Sequence, residues 1–420
     1  MNRLYHALPG KKPIRHRLFA ILPAALCALS AFAQPTSLTE QESVRIGLAR
    51  PDIASVIEAA QAAARSDAAA AGRWPNPTLE LQHESVPGAL GSATERTYLL
   101  SQQFDLSGKR GIRKNAANER VLAAAFDGDQ RRQDIAAAIR RRFYEVLYRR
   151  ELVAATRAWD SRMAPIAATV QKLHKGGEVA GYDKRRMELE RATAQARLRA
   201  EQADYDKAWQ QLAALLGAGA AQATPSGELL PPDAPPLDTL LARLDQRPQL
   251  RALERRADAH ALERKAAQRG WMPDVTVGIG SKSVDSGVAR DRGTVLSVSV
   301  PLPIFDRDQA GAGKAGAQAD EARAEARLQR SRLEGELRGA WQQVRQLSAT
   351  ARDYQAQAAN ASDELARIAE ASYRGGETGI LELLDVYRAT HEARMRALEL
   401  SWSARQGAIE LDTIVGNEKP

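Results

Sequence analysis

The sequence predicts a mainly α-helical protein with a pair of β-hairpins, and three observations carry that prediction. A basic-Gly-Gly-Glu break, His174-Lys175-Gly176-Gly177-Glu178-Val179-Ala180-Gly181-Tyr182-Asp183, recurs 199 residues later as Tyr373-Arg374-Gly375-Gly376-Glu377-Thr378-Gly379-Ile380-Leu381-Glu382. The same offset relates Leu216-Gly217 to Val415-Gly416, so the chain reads as an internal duplication with a helical hairpin in each half. Between Gly108 and His174 stand 67 residues whose only proline is Pro165. As one helix they reach about 100 Å, far beyond a globular helix. In each half, a stretch of alternating apolar and polar residues follows a tryptophan-proline break.

The N-terminus reads as a targeting segment. Arg3, Lys11, Lys12, Arg15 and Arg17 precede an apolar run from Leu18 to Leu29, and Ala31-Phe32-Ala33 precedes Gln34 as a cleavage signal. The expected mature chain begins near Gln34, outside the cytoplasm. Residues 1–33 hold five basic and no acidic side chains, so the net charge of +8 falls to +3 on cleavage, and no strong nucleic-acid signal remains. The single cysteine, Cys27, lies in the apolar run, where Leu26 before it is a poor lipidation context. No run of about 18 apolar residues follows the signal, so any membrane crossing falls to strands.

Thr39 to Arg73 reads as a helix ending before Trp74-Pro75-Asn76-Pro77, because proline lacks a backbone donor and biases its predecessor toward extended geometry. In 78–85, Leu79 and Leu81 alternate with Glu80, Gln82 and Glu84. After Pro-Gly-Ala-Leu-Gly, a strand near 95–106 sets Tyr98, Leu100, Gln102, Phe104 and Leu106 against Thr97, Ser101, Gln103 and Asp105. The second half repeats this after Trp271-Met272-Pro273, with Val275, Val277 and Ile279, then Leu296, Val298, Val300 and Leu302 opposite Ser297 and Ser299. Such alternation fits a membrane β-barrel strand and equally a half-buried soluble hairpin. Four strands do not close a barrel, and an open edge is not viable in lipid. On the membrane reading, several chains must share one barrel, and three would supply twelve strands, a size that leaves a pore.

The helices carry coiled-coil-like stripes: Ile135, Ile139, Phe143, Val146 and Val153 in the first half, and Leu384, His391, Met395, Leu398, Trp402 and Ile409 in the second. Ala180 to Leu216 and Thr39 to Arg73 together match the long helix in length, so two short helices stacked end to end would lie beside one long one. The expected organisation is a signal peptide over 1–33, a first repeat over 34–217, a Pro-rich linker over 218–237, a second repeat over 238–416 and a tail over 417–420.

Gln103-Phe104-Asp105-Leu106-Ser107-Gly108-Lys109-Arg110-Gly111 closes the first hairpin and Val300-Pro301-Leu302-Pro303-Ile304-Phe305-Asp306-Arg307 the second. With the signal peptide and the two repeats, these segments resemble the TolC family of outer-membrane efflux proteins over almost the whole mature chain. They are most similar to its heavy-metal branch, the outer-membrane components of cobalt-zinc-cadmium-type systems. The resemblance implies a homotrimer in which long antiparallel hairpins form a periplasmic α-barrel and four strands per chain build a shared twelve-stranded outer-membrane β-barrel. It also implies a periplasmic adaptor and an inner-membrane pump as partners, heavy-metal cations as cargo, and docking of the adaptor at the two hairpin tips. A duct for organic substrates and a periplasmic coiled-coil scaffold are the alternatives.

Other chemistry fares poorly. Gly311-Ala312-Gly313-Lys314-Ala315-Gly316 imitates a phosphate loop, but Asp308 takes the place of the first glycine and Ala315 that of the required hydroxyl. The mature histidines, His83, His174, His260 and His391, have no ligand-spaced partner, so no metal site, cofactor or catalytic group is expected. The alternation predicts that Leu79, Leu81, Tyr98, Leu100, Val277, Ile279, Leu296 and Val298 face lipid, with Glu80, Gln82, Ser101, Gln103, Ser297 and Ser299 facing water. The repeated break assigns docking and gating to His174, Lys175, Gly176, Gly177, Glu178 and Asp183 in the first tip and to Tyr373, Arg374, Gly375, Gly376, Glu377 and Glu382 in the second. The glycines let the chain reverse where a Cβ is penalised.

Overall fold

The computed structural model describes residues 37–88, 91–217 and 223–416. The expected signal peptide with Cys27, the linker residues 218–222 and the tail lie outside them. In chain order come β1 (Ser37–Leu38), α1 (Glu40–Leu48), α2 (Pro51–Ala71), β2 (Thr78–Gly88), β3 (Gly91–Phe104), α3 (Lys109–Lys175) and α4 (Gly181–Leu216). Next are β4 (Thr224–Pro225), α5 (Leu237–Leu241), α6 (Pro248–Ala267), β5 (Val275–Asp285), β6 (Arg290–Ser299), α7 (Gln309–Tyr354), α8 (Asn360–Arg374) and α9 (Ile380–Val415). The 67-residue α3 matches the long helix expected from the sequence. A π-helical turn over Gln355–Ala359 joins α7 to α8, so the second long helix carries a bulge that the first lacks.

The helix expected over Thr39 to Arg73 is two helices. Thr39 caps α1 by accepting the Glu42 amide at 3.2 Å. Pro51 then has no amide to offer a continuing helix, and Arg50 before it is extended at φ −64°, ψ 131°. Arg50 turns this break into a joint: its guanidinium donates to the carbonyls of Ala214 and Leu215 at 2.6 and 3.2 Å, the free acceptors at the end of α4. Arg247-Pro248 repeats the device at the start of α6, where Arg247 lies against Gly416 at the end of α9. In both halves two shorter helices therefore stack beside one long helix.

Packing is spread along these helices. Ile139, Phe143, Val146 and Leu147 of α3 bury with Leu38, Val44, Leu212, Leu216 and Ile409. A second cluster joins Trp159, Met163, Ile166 and Val170 to Met187, Leu383, Leu384 and Tyr387 near the tips. A third joins Leu333, Leu337 and Val344 of α7 to Leu240, Leu411 and Ile414. Both predicted stripes are thus core. The connecting segment is held by Arg405, whose guanidinium donates to the carbonyls of Glu228, Leu229 and Leu230 at 2.8–2.9 Å and lies 4.2 Å from the Tyr144 ring centroid.

The four long strands form one antiparallel sheet in the order β2-β3-β5-β6, while β1 pairs with β4 in parallel. Within the larger sheet Leu79 pairs with Leu100, Leu100 with Ile279 and Ile279 with Leu296; one step away, Leu81 pairs with Tyr98 and Val277 with Val298. β5 approaches β3 closely at Gly280: a Cβ there would sit 2.0 Å from the Tyr98 carbonyl oxygen, whereas one at Gly293 meets nothing within 4 Å. Backbone cannot yield as a flexible side chain does. Gly280→Ala is therefore expected to lower sheet stability by about 1–3 kcal/mol and Gly293→Ala to leave it within about 0.5 kcal/mol, read as loss of β-signal on heating in detergent.

Candidate functional site

Two surfaces of the molecule carry the predicted site residues. The first is the sheet. Cross-strand partners share a face, so the observed register puts Leu79, Leu81, Tyr98, Leu100, Val277, Ile279, Leu296 and Val298 together on one side. All eight are exposed, with Leu296 at 72% and Val277, the least, at 39%. Phe104 continues this side toward the helices, and its ring meets Trp74 edge-on at 5.9 Å while Arg110 covers the other ring at 3.4 Å.

The opposite side holds Glu80, Gln82, Ser101, Gln103, Ser297 and Ser299, as the alternation required, together with Glu84, Glu95, Lys282 and Asp291. It also holds Leu99 and Val295, which alternation alone left unassigned. Leu99 lies over Gly278 and Gly280, where added Cβ atoms would come within 3.2 Å of its atoms. The small residues on β5 make room for Leu99 on this mainly polar face.

The second surface is the pair of helix tips, which are geometric copies. Gly177 and Gly376 have φ of +79° and +77°. In the first, the amides of Gly176, Gly177 and Glu178 donate to the carbonyls of Lys172, His174 and Leu173 at 3.1, 3.1 and 2.9 Å. In the second, those of Gly375, Gly376 and Glu377 donate to Ala371, Tyr373 and Ser372 at 2.9, 3.2 and 2.9 Å. Only the second glycine of each pair needs the left-handed region; Gly176 is still helical at φ −79°. This narrows the expectation that all four glycines make the reversal.

Around the turns, Lys175, Glu178, Arg374, Glu377 and Glu382 are exposed, whereas His174, Asp183 and Tyr373 are half-buried. His174 Nδ1 lies 3.0 Å from the Val179 carbonyl, which stiffens the first loop. Burial first, and the charge of Asp183 second, push the Tyr373 phenol up. Arg374 pairs within its own helix, with Glu370 at 3.5 Å.

The links that join the hairpins lie a few turns back, at residues that sequence reasoning missed. Arg388 of α9 pairs with the buried Glu190 of α4, which Arg186 also approaches at 3.5 Å. Arg162 of α3 binds Asp363 of α8 at 2.8 Å, and within the second hairpin the Tyr387 hydroxyl of α9 donates to Glu370 of α8 at 2.8 Å. Arg/Glu-rich helix faces hide such pairs, because the sequence shows i,i+4 partners and not those on a facing helix. Among the described residues no group of three or more His, Cys, Asp or Glu is placed to hold a metal. At the imitation phosphate loop, Asp308 caps α7 in the left-handed conformation, and its carboxylate occupies the space beside Gly311.

A family model described as outer membrane efflux protein matches residues 241–417. The cobalt-zinc-cadmium resistance protein CzcC of Cupriavidus metallidurans is 30% identical over 349 residues, covering 81% of this chain and 81% of its own. The chain belongs to the outer membrane efflux protein family. The nickel and cobalt resistance protein CnrC of the same organism is 30% identical over 347 residues, 76% of this chain and 74% of its own. The fold matches that of a membrane protein from Pseudomonas aeruginosa with a TM-score of 0.73 at 21% identity, covering 90% of this chain and 92% of that one. It also matches the Campylobacter jejuni CmeC outer membrane channel with a TM-score of 0.71 at 14% identity, covering 90% and 85%. As an outer membrane efflux protein, the chain is a transport channel and not an enzyme, and the sheet and tips are read below in those terms.

His391 supplies a pH test of the packing between the hairpins. It is 5% exposed, stacks on Trp159 with centroids 4.4 Å apart and planes at 8°, and its Nε2 has no partner among the described residues. Burial, with a smaller contribution from Arg197, pushes its pKa down from 6.5 to about 4. The unfolded chain therefore binds this proton first as pH falls, and stability declines between pH 6.5 and 4 by up to roughly 3 kcal/mol. His391→Phe, which keeps the stack, should remove that decline from the pH profile of the thermal midpoint; an unchanged profile would mean that His391 is not buried against Trp159.

Proposed function

We propose that this efflux protein is the outer-membrane duct of a three-part export system, working as a homotrimer with a periplasmic adaptor and an inner-membrane pump. The observation that carries the reading is the open four-stranded sheet with eight exposed apolar side chains on one face. Strands β2 and β6 have no outer neighbour among the described residues, and in lipid such edges must be paired. Three copies pairing β2 of one with β6 of the next give a closed barrel of twelve strands with a pore, the apolar face outward. The stacked helices then continue below as a periplasmic tunnel. The signal peptide is removed near Ala33, and the two repeats, 34–217 and 238–416, flank the linker 218–237.

The cargo we infer is heavy-metal cations. The curated relatives CzcC and CnrC are named for cobalt, zinc, cadmium and nickel resistance. The polar face of the sheet, which lines the pore on this reading, carries Glu80, Glu84, Glu95 and Asp291 against Lys282 alone. Such an excess favours cation passage. Deleting the chain should lower tolerance to zinc, cobalt, cadmium or nickel and leave tolerance to organic drugs unchanged; the reverse pattern would contradict the metal assignment.

The barrel face and the tips are separately testable. Val298→Arg, aimed at lipid, should cost about 2–4 kcal/mol of barrel stability, with Ser297→Arg costing much less; equal losses would mean that the assigned faces are wrong. At the tips, His174, Lys175, Glu178, Asp183, Tyr373, Arg374, Glu377 and Glu382 meet the adaptor around the turns made by Gly176, Gly177, Gly375 and Gly376. Gly376→Val forces a β-branched residue to φ +77°, and Arg374→Glu reverses an exposed charge. Both should abolish export while assembly survives, and normal metal tolerance in both variants would remove the tip from the mechanism.

A further inference from the structure

Resting on the barrel reading above, we propose that the outer face of the sheet binds the phosphate-bearing headgroups of outer-leaflet lipids through Arg96 and Arg292. The apolar side chains of that face run on β3 from Phe104 to Tyr98, six residues or about 20 Å along the strand. One step farther toward the hairpin turns, and so away from the helices, the register sets His83, Arg96, Ser283 and Arg292 side by side in a single row across the four strands. Both arginines are exposed. They lie on either side of β5, so their Cα atoms are about 10 Å apart; Arg96 stands about 7 Å beyond Tyr98, and Arg292 about 13 Å beyond Leu296, with Ser281 and Thr294 in the row between.

Three features point to a fixed anionic partner and not to solvent. Neither guanidinium forms an ion pair among the described residues, although ion pairs are common elsewhere in the chain. Asp285 is the only acidic side chain on this face of the four strands; Arg290 holds it at 2.7 Å and Arg96 acts on it only at longer range, so the face keeps a net positive charge. The charges are also sorted by strand parity: the outer face bears Arg96, Arg290 and Arg292 against Asp285, whereas the inner face bears four acids against Lys282. A solvated rim has no reason to separate charge between its two faces. A face that ends where hydrocarbon meets phosphate does, because arginine there gains charge-assisted, bidentate contacts. On β2 and β3 the row follows directly on the apolar band, and on β5 and β6 it follows the polar Ser281 and Thr294, a passage from apolar to polar to cationic that suits headgroup level.

The test uses the full chain purified in non-ionic detergent, with the thermal midpoint followed during titration with bisphosphorylated lipid A, dephosphorylated lipid A or inorganic phosphate. The wild-type midpoint should rise with the first and with neither of the others. Arg96→Gln/Arg292→Gln should weaken the apparent affinity roughly 30-fold, Arg96→Lys/Arg292→Lys should retain most of it, and Arg323→Gln/Arg332→Gln on α7 should leave it unchanged. Equal affinity of the glutamine variant and wild type, equal stabilisation by dephosphorylated lipid A, or the same effect from inorganic phosphate would each overturn the proposal. Should the glutamine variant fail to assemble, the wild-type comparison of the two lipids decides alone. A wild-type chain that needs detergent but ignores headgroup phosphate sinks this inference and leaves the barrel; a chain soluble without detergent sinks both.

Discussion

The unpaired backbone along β2 and β6 is the constraint on which the rest depends. Each edge exposes a row of amides and carbonyls, and each unsatisfied group costs several kcal/mol in hydrocarbon. A chain that contributes only four strands is therefore unfinished by itself. The side chains agree with the backbone: Leu79, Leu81, Leu296 and Val298 are more than 60% exposed, and only the uncharged Gln102, Ser281 and Thr294 interrupt the apolar residues of their face before the row of Arg96 and Arg292. A sheet designed to stand in water would cover or charge that surface.

Duplication supplies the economy by which one such chain reaches across two compartments. Two Arg-Pro joints, two long helices and two left-handed glycine turns recur in order; Arg50 caps the carbonyl end of α4, and Arg247 lies against the end of α9. The copies are not identical. The π-helical turn at Gln355–Ala359 and the left-handed Asp308, where the first half has Gly108 at φ +68°, belong to the second half or differ between the halves. The links of Arg388 to Glu190 and Arg162 to Asp363 join the second hairpin to the first.

Much of this was legible in the sequence, because the signals were periodic. Alternation assigned the faces of Leu79 through Val298, the long proline-poor run announced α3, and the spacing of the Gly-Gly breaks announced the duplication. What escaped has a common physical cause. Leu99 sits on the polar face because Gly278 and Gly280 on a strand 180 residues away leave room for it. The break at Arg50 is stabilised by carbonyls of Ala214 and Leu215, and Glu190 is matched by Arg388 across the hairpins. Long-range pairing leaves no local period to read. Pro51 did offer a local signal, but proline at a first helical turn is compatible with both continuation and restart until its predecessor is seen to be extended.

The central claim is that β2 and β6 are completed by other copies of the same chain, and the mass of the detergent-extracted particle tests it most directly. With the detergent contribution subtracted, the protein mass should be three times that of one mature chain, falling to one only when heating removes the β-signal. A single-chain particle that keeps its sheet in detergent would contradict the account.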